Sequence, residues 1–156
     1  MKLLFKQRIL SWFDSYDIYD EDGNVIFVVK GELSWGHRLN VYDVNENHIA
    51  TLQEEVLTLL PRFKMYVQDE YIGQILKEFS FFKPKFNLEC NGWHIEGDFF
   101  EWDYSICDEN GCVVADVSKE LFHFSDTYVI DVEKREDVLY CLMIVLAIDA
   151  EKCSRS

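Results

Sequence analysis

Two pairs of cationic residues have the type and spacing to recognise a phosphate group. Arg62 and Lys64 are two positions apart, and so are Lys83 and Lys85. Alternate residues of a β-strand project from one face, so each pair would present two positive charges together. Clustered Lys and Arg side chains bind phosphate oxygens well. These four residues are therefore the candidate ligand-binding residues, with ordinary solvated surface cations as the alternative interpretation.

A second local pattern, His94-Ile95-Glu96, matches the first half of a zinc deaminase signature. That signature also requires a Pro-Cys-x-x-Cys run, which the sequence lacks. As alternate residues of a strand, His94 and Glu96 are interpreted as a pair on the surface. No Gly-x-Ser-x-Gly nucleophile motif is present either. We therefore predict no catalytic residue, no metal site and no cofactor, and a protein that is not an enzyme.

Acidic runs at residues 20–24 and 108–112, "DEDGN" and "DENGC", could suggest calcium loops. An EF-hand loop needs oxygen ligands at its first and twelfth positions and glycine at its sixth. With Gly23 as the sixth position, Ile18 and Val29 would occupy the first and the twelfth. The second run fails in the same way, so both are interpreted as hairpin turns.

Cysteine usage and the N-terminal residues indicate the cellular compartment. The number of cysteines is odd, five, and no two form a Cys-x-x-Cys pair. The first apolar residues are interrupted by Lys6, Gln7 and Arg8, so a signal-peptide core does not form. Reduced thiols and a cytoplasmic location are the simplest interpretation.

The strongly acidic composition limits the choice of partner. The formal net charge is −14, from 29 acidic and 15 basic residues. Such a surface repels nucleic acid and anionic lipid over most of its area. We expect no nucleic-acid partner, and a protein or lipid ligand that the sequence does not identify. Peripheral membrane contact stays open, although the net charge disfavours it.

Internal repetition indicates which elements must position these residues. Four segments share one rhythm of alternating apolar residues, a polar turn and β-branched residues; they are 16–30, 39–53, 63–77 and 104–118. This rhythm is typical of β-hairpins, and glycine or asparagine in the turns tolerates positive φ. Further alternating stretches bring the expected total to about a dozen strands in one domain over residues 1–156.

One segment near the C-terminus is helical in character. Residues 138–148 are all apolar, acidic residues precede them, and none is Gly or Pro. We predict a helix over about residues 136–151. A membrane-spanning helix needs about 20 apolar residues, so no transmembrane segment is expected. A helix that is apolar on every face is buried on every face, which requires the strands to close around it.

Four stretches spread over nearly the whole chain form a recognisable set: "YDIYDEDGNVIFVVKG", "WHIEGDFFEWDYSI", and "DTYVIDV" followed by "LYCLMIVLAID". On these stretches the chain resembles the LURP-one-related family, whose fold is that of the tubby C-terminal domain and of phospholipid scramblases. The resemblance implies a mainly β fold, a closed twelve-stranded antiparallel β-barrel surrounding the C-terminal hydrophobic helix. The spacing of the hairpins and the character of the helix point to the same architecture.

The resemblance also suggests functions without assigning residues. Tubby relatives bind phosphoinositide head groups through Lys and Arg, and scramblase relatives are membrane proteins with an ion-binding segment. No functional residue of either group transfers to this sequence. The expected function is a non-catalytic binding module for lipid head groups or a protein. The alternatives are an enzyme with a non-local site on the barrel exterior and a scramblase-like membrane-acting protein.

Overall fold

The structure, a computed structural model, describes residues 1–6, 15–78, 80–82, 85–99, 101–122 and 125–153. Within these ranges it contains twelve strands, a 3-10 turn and a C-terminal helix. The elements are β1 (Lys2–Lys6), β2 (Ser15–Tyr19), β3 (Val25–Ser34), β4 (Gly36–Asp43), β5 (His48–Glu55), β6 (Arg62–Val67), β7 (Glu70–Glu78), β8 (Lys85–Glu89), β9 (His94–Asp98), β10 (Asp103–Cys107), β11 (Val113–Phe122), β12 (Ser125–Val132), the 3-10 turn (Arg135–Asp137) and α1 (Val138–Cys153).

The twelve strands form one antiparallel sheet that curves into a barrel. Consecutive strands pair with each other except β8 and β9, and β1 pairs with β12, so the order is β8-β7-β6-β5-β4-β3-β2-β1-β12-β11-β10-β9. The prediction of about a dozen antiparallel strands is therefore confirmed. The prediction of a fully closed barrel is wrong in one respect, because the described strands β8 and β9 are the two edges of the sheet. The barrel is nearly closed.

Side chains occupy the seam between β8 and β9. Phe86 of β8 and Phe99, just after β9, make an edge-to-face contact with 5.2 Å between ring centroids. The connection between the two strands turns Trp93 inward, where it is 8% exposed and lies 6.2 Å from the Tyr140 ring of α1. Aromatic packing thus takes the place of a hydrogen-bond ladder. Charged residues on both edges, such as Glu89, discourage pairing with another chain.

All four predicted hairpins are confirmed, as β2–β3, β4–β5, β6–β7 and β10–β11. Three of their turns share one mechanism, in which an Asp side chain accepts hydrogen bonds from the backbone N–H groups two and four residues later. These aspartates are Asp20, Asp43 and Asp108. Hydrogen bonds from Asn24 and Asn47 lower the pKa of Asp20 and Asp43, respectively. These carboxylates therefore stabilise the turns.

The C-terminal helix begins two residues later than predicted and ends two residues later, at Cys153. Every side chain from Cys141 to Ile148 is 0% exposed. Inward-facing residues of the strands pack around this helix, including Leu3, Val41 and Met65. Burial on all sides confirms that the helix is surrounded by the sheet. In the described part of the chain, no helix is both long enough and apolar enough to cross a membrane.

Burial continues beyond the apolar run into the last turn of α1. Asp149 is 5% exposed and Glu151 is 3% exposed. The Lys77 ammonium binds a Glu151 carboxylate oxygen at 2.8 Å. Lys77 reaches it because alternation along β7 places Gly73, Ile75 and Lys77 on the inner face of the sheet. This ion pair ties the C-terminal end of the helix to the barrel wall.

An antiparallel meander brings the strand connections to two opposite ends. Connections that follow even-numbered strands lie at one end, together with the N-terminus and the start of α1. The described connections that follow odd-numbered strands lie at the other end, where β7 and the last turn of α1 meet through the Lys77–Glu151 pair. The two ends differ in chemistry.

Candidate functional site

Arg62 and Lys64 lie on the same face of β6, as predicted. Both face Glu55 of β5: the Lys64 ammonium is 2.6 Å from one carboxylate oxygen, and the Arg62 Nε is 3.6 Å from the other. The hydrogen bond with Glu55 raises the pKa of Lys64. Two cations therefore share one carboxylate, which leaves a small positive excess at the start of β6.

The second predicted pair is described only in part, because Lys83 lies outside the described residues. Lys85 is exposed at the start of β8 and pairs in register with Glu78 of β7. The two strands that carry Arg62 and Lys85 are separated by β7, so these two residues do not lie on adjacent strands. Arg62 and Lys85 both lie at the same end of the barrel, each at the start of the strand that follows a loop. Their role as ligand-binding residues stays a prediction.

Those loops expose large apolar side chains, a feature on which the sequence analysis placed no weight. Three neighbouring connections contribute: β3–β4, β5–β6 and β7–β8. Their side chains are Trp35 (84% exposed), Val56 (48%), Leu57 (92%), Leu59 (90%), Phe81 (103%) and Phe82 (97%). We call these six residues the apolar loop end. Contiguous exposed apolar surface is uncommon on soluble proteins and marks interaction sites.

Hydrogen bonds and close packing hold two of the three loops in place. The Thr58 hydroxyl donates to the backbone carbonyl oxygens of Glu55 and Leu60, at 3.0 and 2.7 Å. Gly36 has φ +94°, and a Cβ there would lie 2.9 Å from a Val56 methyl carbon, so the first two loops pack directly together. The apolar side chains of these two loops are therefore presented by an ordered support.

Three of the carboxylates near this end have cationic or hydrogen-bonding partners. Besides Glu55 and Glu151, Glu54 accepts a hydrogen bond from the backbone N–H of His37 at 3.0 Å and lies 2.7 Å from His37 Nδ1. Pairing reduces the negative potential around the apolar tips.

Acidic residues concentrate at the opposite end, in the hairpin turns and beside the start of α1. We call this the acidic turn end. Its acidic residues include Asp20, Glu21, Asp22, Asp43, Glu46, Asp69, Glu70, Asp108, Glu109, Glu133, Glu136 and Asp137. The exposed apolar side chains there are smaller or less exposed, such as Val44 (61%) and Val113 (43%). The two ends of the barrel therefore differ: one exposes large apolar side chains and the other exposes acidic ones.

A third location is the outer wall of β9 and β10, near the acidic turn end. His94 and Glu96 form the predicted same-face pair, with 2.9 Å between Nε2 and Oε1. Cys107 lies opposite His94 in the ladder, and Ser105 lies opposite Glu96. On the next strand, Asp116 accepts a short hydrogen bond from the Ser105 hydroxyl. Polar groups thus continue across three strands of the wall.

Four cysteines, Cys90, Cys107, Cys112 and Cys141, are free thiols, and three of them are poorly suited to act as nucleophiles. Burial raises the pKa of Cys90 to about 11 and that of Cys141 to about 12. Burial, followed by the nearby carboxylates of Glu96 and Asp116, raises the pKa of Cys107. Since the thiolate is the reactive form, a raised pKa makes these thiols less reactive at neutral pH.

Local sequence reasoning missed Cys107 as a neighbour of His94 because thirteen positions separate the two residues. The β9–β10 hairpin was the sequence feature that could have indicated this contact. Its register could not be predicted, because an irregular stretch precedes β10. Lys77 was missed although alternation with Ile75 places it on the inner face. The apolar loop end was present as short apolar runs, and only the structure brings these runs together.

The nearly closed, twelve-stranded barrel with a buried C-terminal helix defines the class of protein. The family model described as LURP-one-related matches residues 1–149. The chain belongs to the LURP-one-related family, as the sequence resemblance predicted.

Two individual proteins are similar to this chain. The uncharacterized protein YxjI of Bacillus subtilis (strain 168) is 29% identical over 150 residues, which cover 96% of this chain and 92% of that protein. An X-ray structure of a protein from Arabidopsis thaliana superimposes with a TM-score of 0.59 at 16% identity, over 95% of this chain and 91% of the other. This second likeness concerns the fold alone.

Proposed function

We propose that this protein is a non-catalytic module that docks on a membrane surface through its apolar loop end. The observation that carries the proposal is the presence of five large apolar side chains, on three adjacent loops, that are 84–103% exposed. Side chains this exposed do not pack against the rest of the fold, and their contact with water is unfavourable. Such surface indicates an interaction site. Insertion into the interfacial region of a bilayer would remove them from water.

The types of residue at this end fit a lipid interface. Trp and Phe rings favour the depth of the head groups, and Leu favours the acyl boundary just below it. Arg62, Lys64 and Lys85 follow the loops directly in sequence, so they would lie at the level of the phosphates while the tips insert. The cations predicted from the sequence therefore support the apolar loop end in one binding surface.

The free energy gained by burying these side chains in a bilayer is sufficient for reversible attachment. Burying a Leu or Phe side chain contributes about 1.5–3 kcal/mol, so four such residues contribute at most about 6–12 kcal/mol. A single myristoyl chain, with an association constant of about 10⁴ M⁻¹, contributes about 5.5 kcal/mol and gives marginal binding. At full burial, the four side chains would thus be comparable to one acyl chain.

The net charge of −14 does not oppose this mode of docking as strongly as its value suggests. A tilted strand of eight residues places the acidic turn end about 20 Å from the loops. The Debye length at physiological ionic strength is about 8 Å, so charges at that distance are largely screened from the membrane. The segregation of charge is therefore compatible with anionic as well as neutral lipid.

Vesicle sedimentation tests the proposal. The wild-type protein is expected to pellet with vesicles of phosphatidylcholine and phosphatidylserine at physiological salt. A loop variant carrying Leu57→Ser, Leu59→Ser, Phe81→Ser and Phe82→Ser should bind at least about tenfold more weakly, since each decade corresponds to about 1.4 kcal/mol. Raising the salt concentration should have little effect on wild-type binding because apolar insertion dominates.

The matched control removes exposed apolar residues from the other end, with Val44→Ser and Val113→Ser, which are 61% and 43% exposed in the wild type. This control should bind as the wild type does. A wild-type protein that stays in the supernatant with every vesicle would refute the proposal. It would indicate that this surface binds a soluble protein partner instead. Equal loss of binding in the control and the loop variant would also contradict it.

A further inference from the structure

The outer wall of β9 and β10 carries a cluster that the docking function does not use. One ligand atom each from His94, Glu96 and Cys107 lies within 4.8 Å of the other two. His94 and Glu96 are alternate residues of β9, and Cys107 is the residue of β10 directly opposite His94. The side chains of opposite residues in an antiparallel pair start about 4.5–5.5 Å apart. The ladder itself therefore brings the three groups together.

The backbone next to the cluster requires a glycine for this close approach. Gly97 follows Glu96 with φ +122°, and a Cβ at this position would lie 2.5 Å from the carbonyl oxygen of Asp103 on β10. With no side chain there, β9 lies directly against β10 beside the cluster. The separation of the two strands that hold the three side chains is thereby fixed.

The donor set, an imidazole nitrogen, a carboxylate oxygen and a thiol sulfur, selects a class of ion. Hard ions such as Mg²⁺ and Ca²⁺ take oxygen ligands, whereas Zn²⁺ and similar ions take nitrogen and sulfur. We propose that His94, Glu96 and Cys107 bind a divalent transition-metal ion of the Zn²⁺ type. Ligand atoms around tetrahedral Zn²⁺ lie about 3.3–3.8 Å apart. Small side-chain rotations from the observed separations reach that geometry.

Charge and exposure also suit such an ion. With Cys107 as a thiolate, the Glu96 carboxylate and the thiolate together balance the +2 charge of the ion. Asp116 lies on the neighbouring strand and adds to a negative field that attracts cations. The His94 and Glu96 side chains are 45% and 66% exposed, and Cys107 is 3% exposed. The fourth coordination position would therefore face solvent and accept water or an external ligand.

The inference is independent of membrane docking because it concerns another part of the molecule. His94 begins β9 and Cys107 ends β10, so both lie towards the acidic turn end. The loop variant with four Ser replacements should bind metal as the wild type does.

Cobalt substitution tests the site because Co²⁺ bound by a thiolate gives a charge-transfer band in the near ultraviolet. Titration of the reduced wild-type protein with Co²⁺ is expected to produce this band with a stoichiometry of about one, and Zn²⁺ should displace it. Cys107→Ser should remove the band. The matched control Cys112→Ser, at an exposed cysteine on the adjacent turn, should retain it.

Two exposed ligands provide variants that do not disturb the core. His94→Gln and Glu96→Gln should each weaken Zn²⁺ binding, measured by competition with a chromophoric chelator, by at least about tenfold. The proposal is wrong if Co²⁺ gives no thiolate band with the wild-type protein. It is also wrong if the band is lost in Cys112→Ser and kept in Cys107→Ser, or if both Gln variants bind Zn²⁺ with wild-type affinity.

Discussion

Replacing Ile144 with Asp is expected to prevent folding. The side chain is 0% exposed in the middle of α1, on a helix surrounded by the sheet. Keeping the new carboxyl protonated at pH 7 costs about 4 kcal/mol, because its pKa must rise by about three units at about 1.4 kcal/mol each. Loss of the buried isoleucine adds about 1.5–3 kcal/mol. Together these terms approach the total stability of about 5–15 kcal/mol of an ordinary domain.

Circular dichroism and thermal melting of the purified variant measure this effect, and Leu142→Asp should behave in the same way. The matched control is Leu57→Asp, at a loop position that is 92% exposed, which should melt close to the wild-type temperature. A soluble Ile144→Asp protein with a wild-type melting temperature would mean that α1 does not lie in the core.

Removing Glu151 is expected to destabilise the protein by about 3–5 kcal/mol, the usual cost of leaving one partner of a buried ion pair without the other. Lys77 and Glu151 are only 9% and 4% exposed at their side chains, so water cannot solvate the ammonium that remains after Glu151→Ala. Replacing both residues, with Lys77→Met and Glu151→Leu, should cost much less, because no charge then stays buried. Urea unfolding of the single and double variants measures the difference.

The more solvent-accessible pair of Lys64 and Glu55 is the natural comparison. Its side chains are 33% and 31% exposed at a similar distance, 2.6 Å. Glu55→Gln should cost no more than about 1 kcal/mol, as exposed pairs do. If Glu151→Ala and Glu55→Gln have equal effects, or if the double variant is as unstable as Glu151→Ala, the Lys77–Glu151 pair does not act as a buried clamp.

The barrel and its helix could be predicted because each depends on a local periodic signal. Alternation over residues 16–30 and its three repeats specifies hairpins, and the unbroken apolar run from Val138 specifies a helix buried on all sides. Closure at β1 and β12 follows from the need to cover that helix. The opening between β8 and β9 could not be predicted, because it depends on how Phe86, Trp93 and Phe99 fill a seam between neighbouring strands.

The candidate sites were less accessible because they depend on contacts between distant residues. The two pairs of cations follow from spacing alone, but their partner Glu55 belongs to the preceding strand. The apolar loop end forms only when the meander places three short loops side by side. Cys107 joins His94 only through the register of β9 and β10. The sequence specifies the face on which a strand residue lies, whereas its neighbours across strands depend on register.

Quenching of tryptophan fluorescence by brominated phospholipids tests the central claim, that the apolar loop end enters a membrane surface. Trp93 and Trp102 are 8% and 3% exposed inside the fold, whereas Trp35 is 84% exposed. In a Trp12→Phe background, which removes the tryptophan outside the described residues, brominated vesicles should quench part of the emission. Trp35→Phe in the same background should abolish that quenching. Emission that brominated vesicles leave unchanged, or quenching that persists without Trp35, would contradict membrane docking through this end.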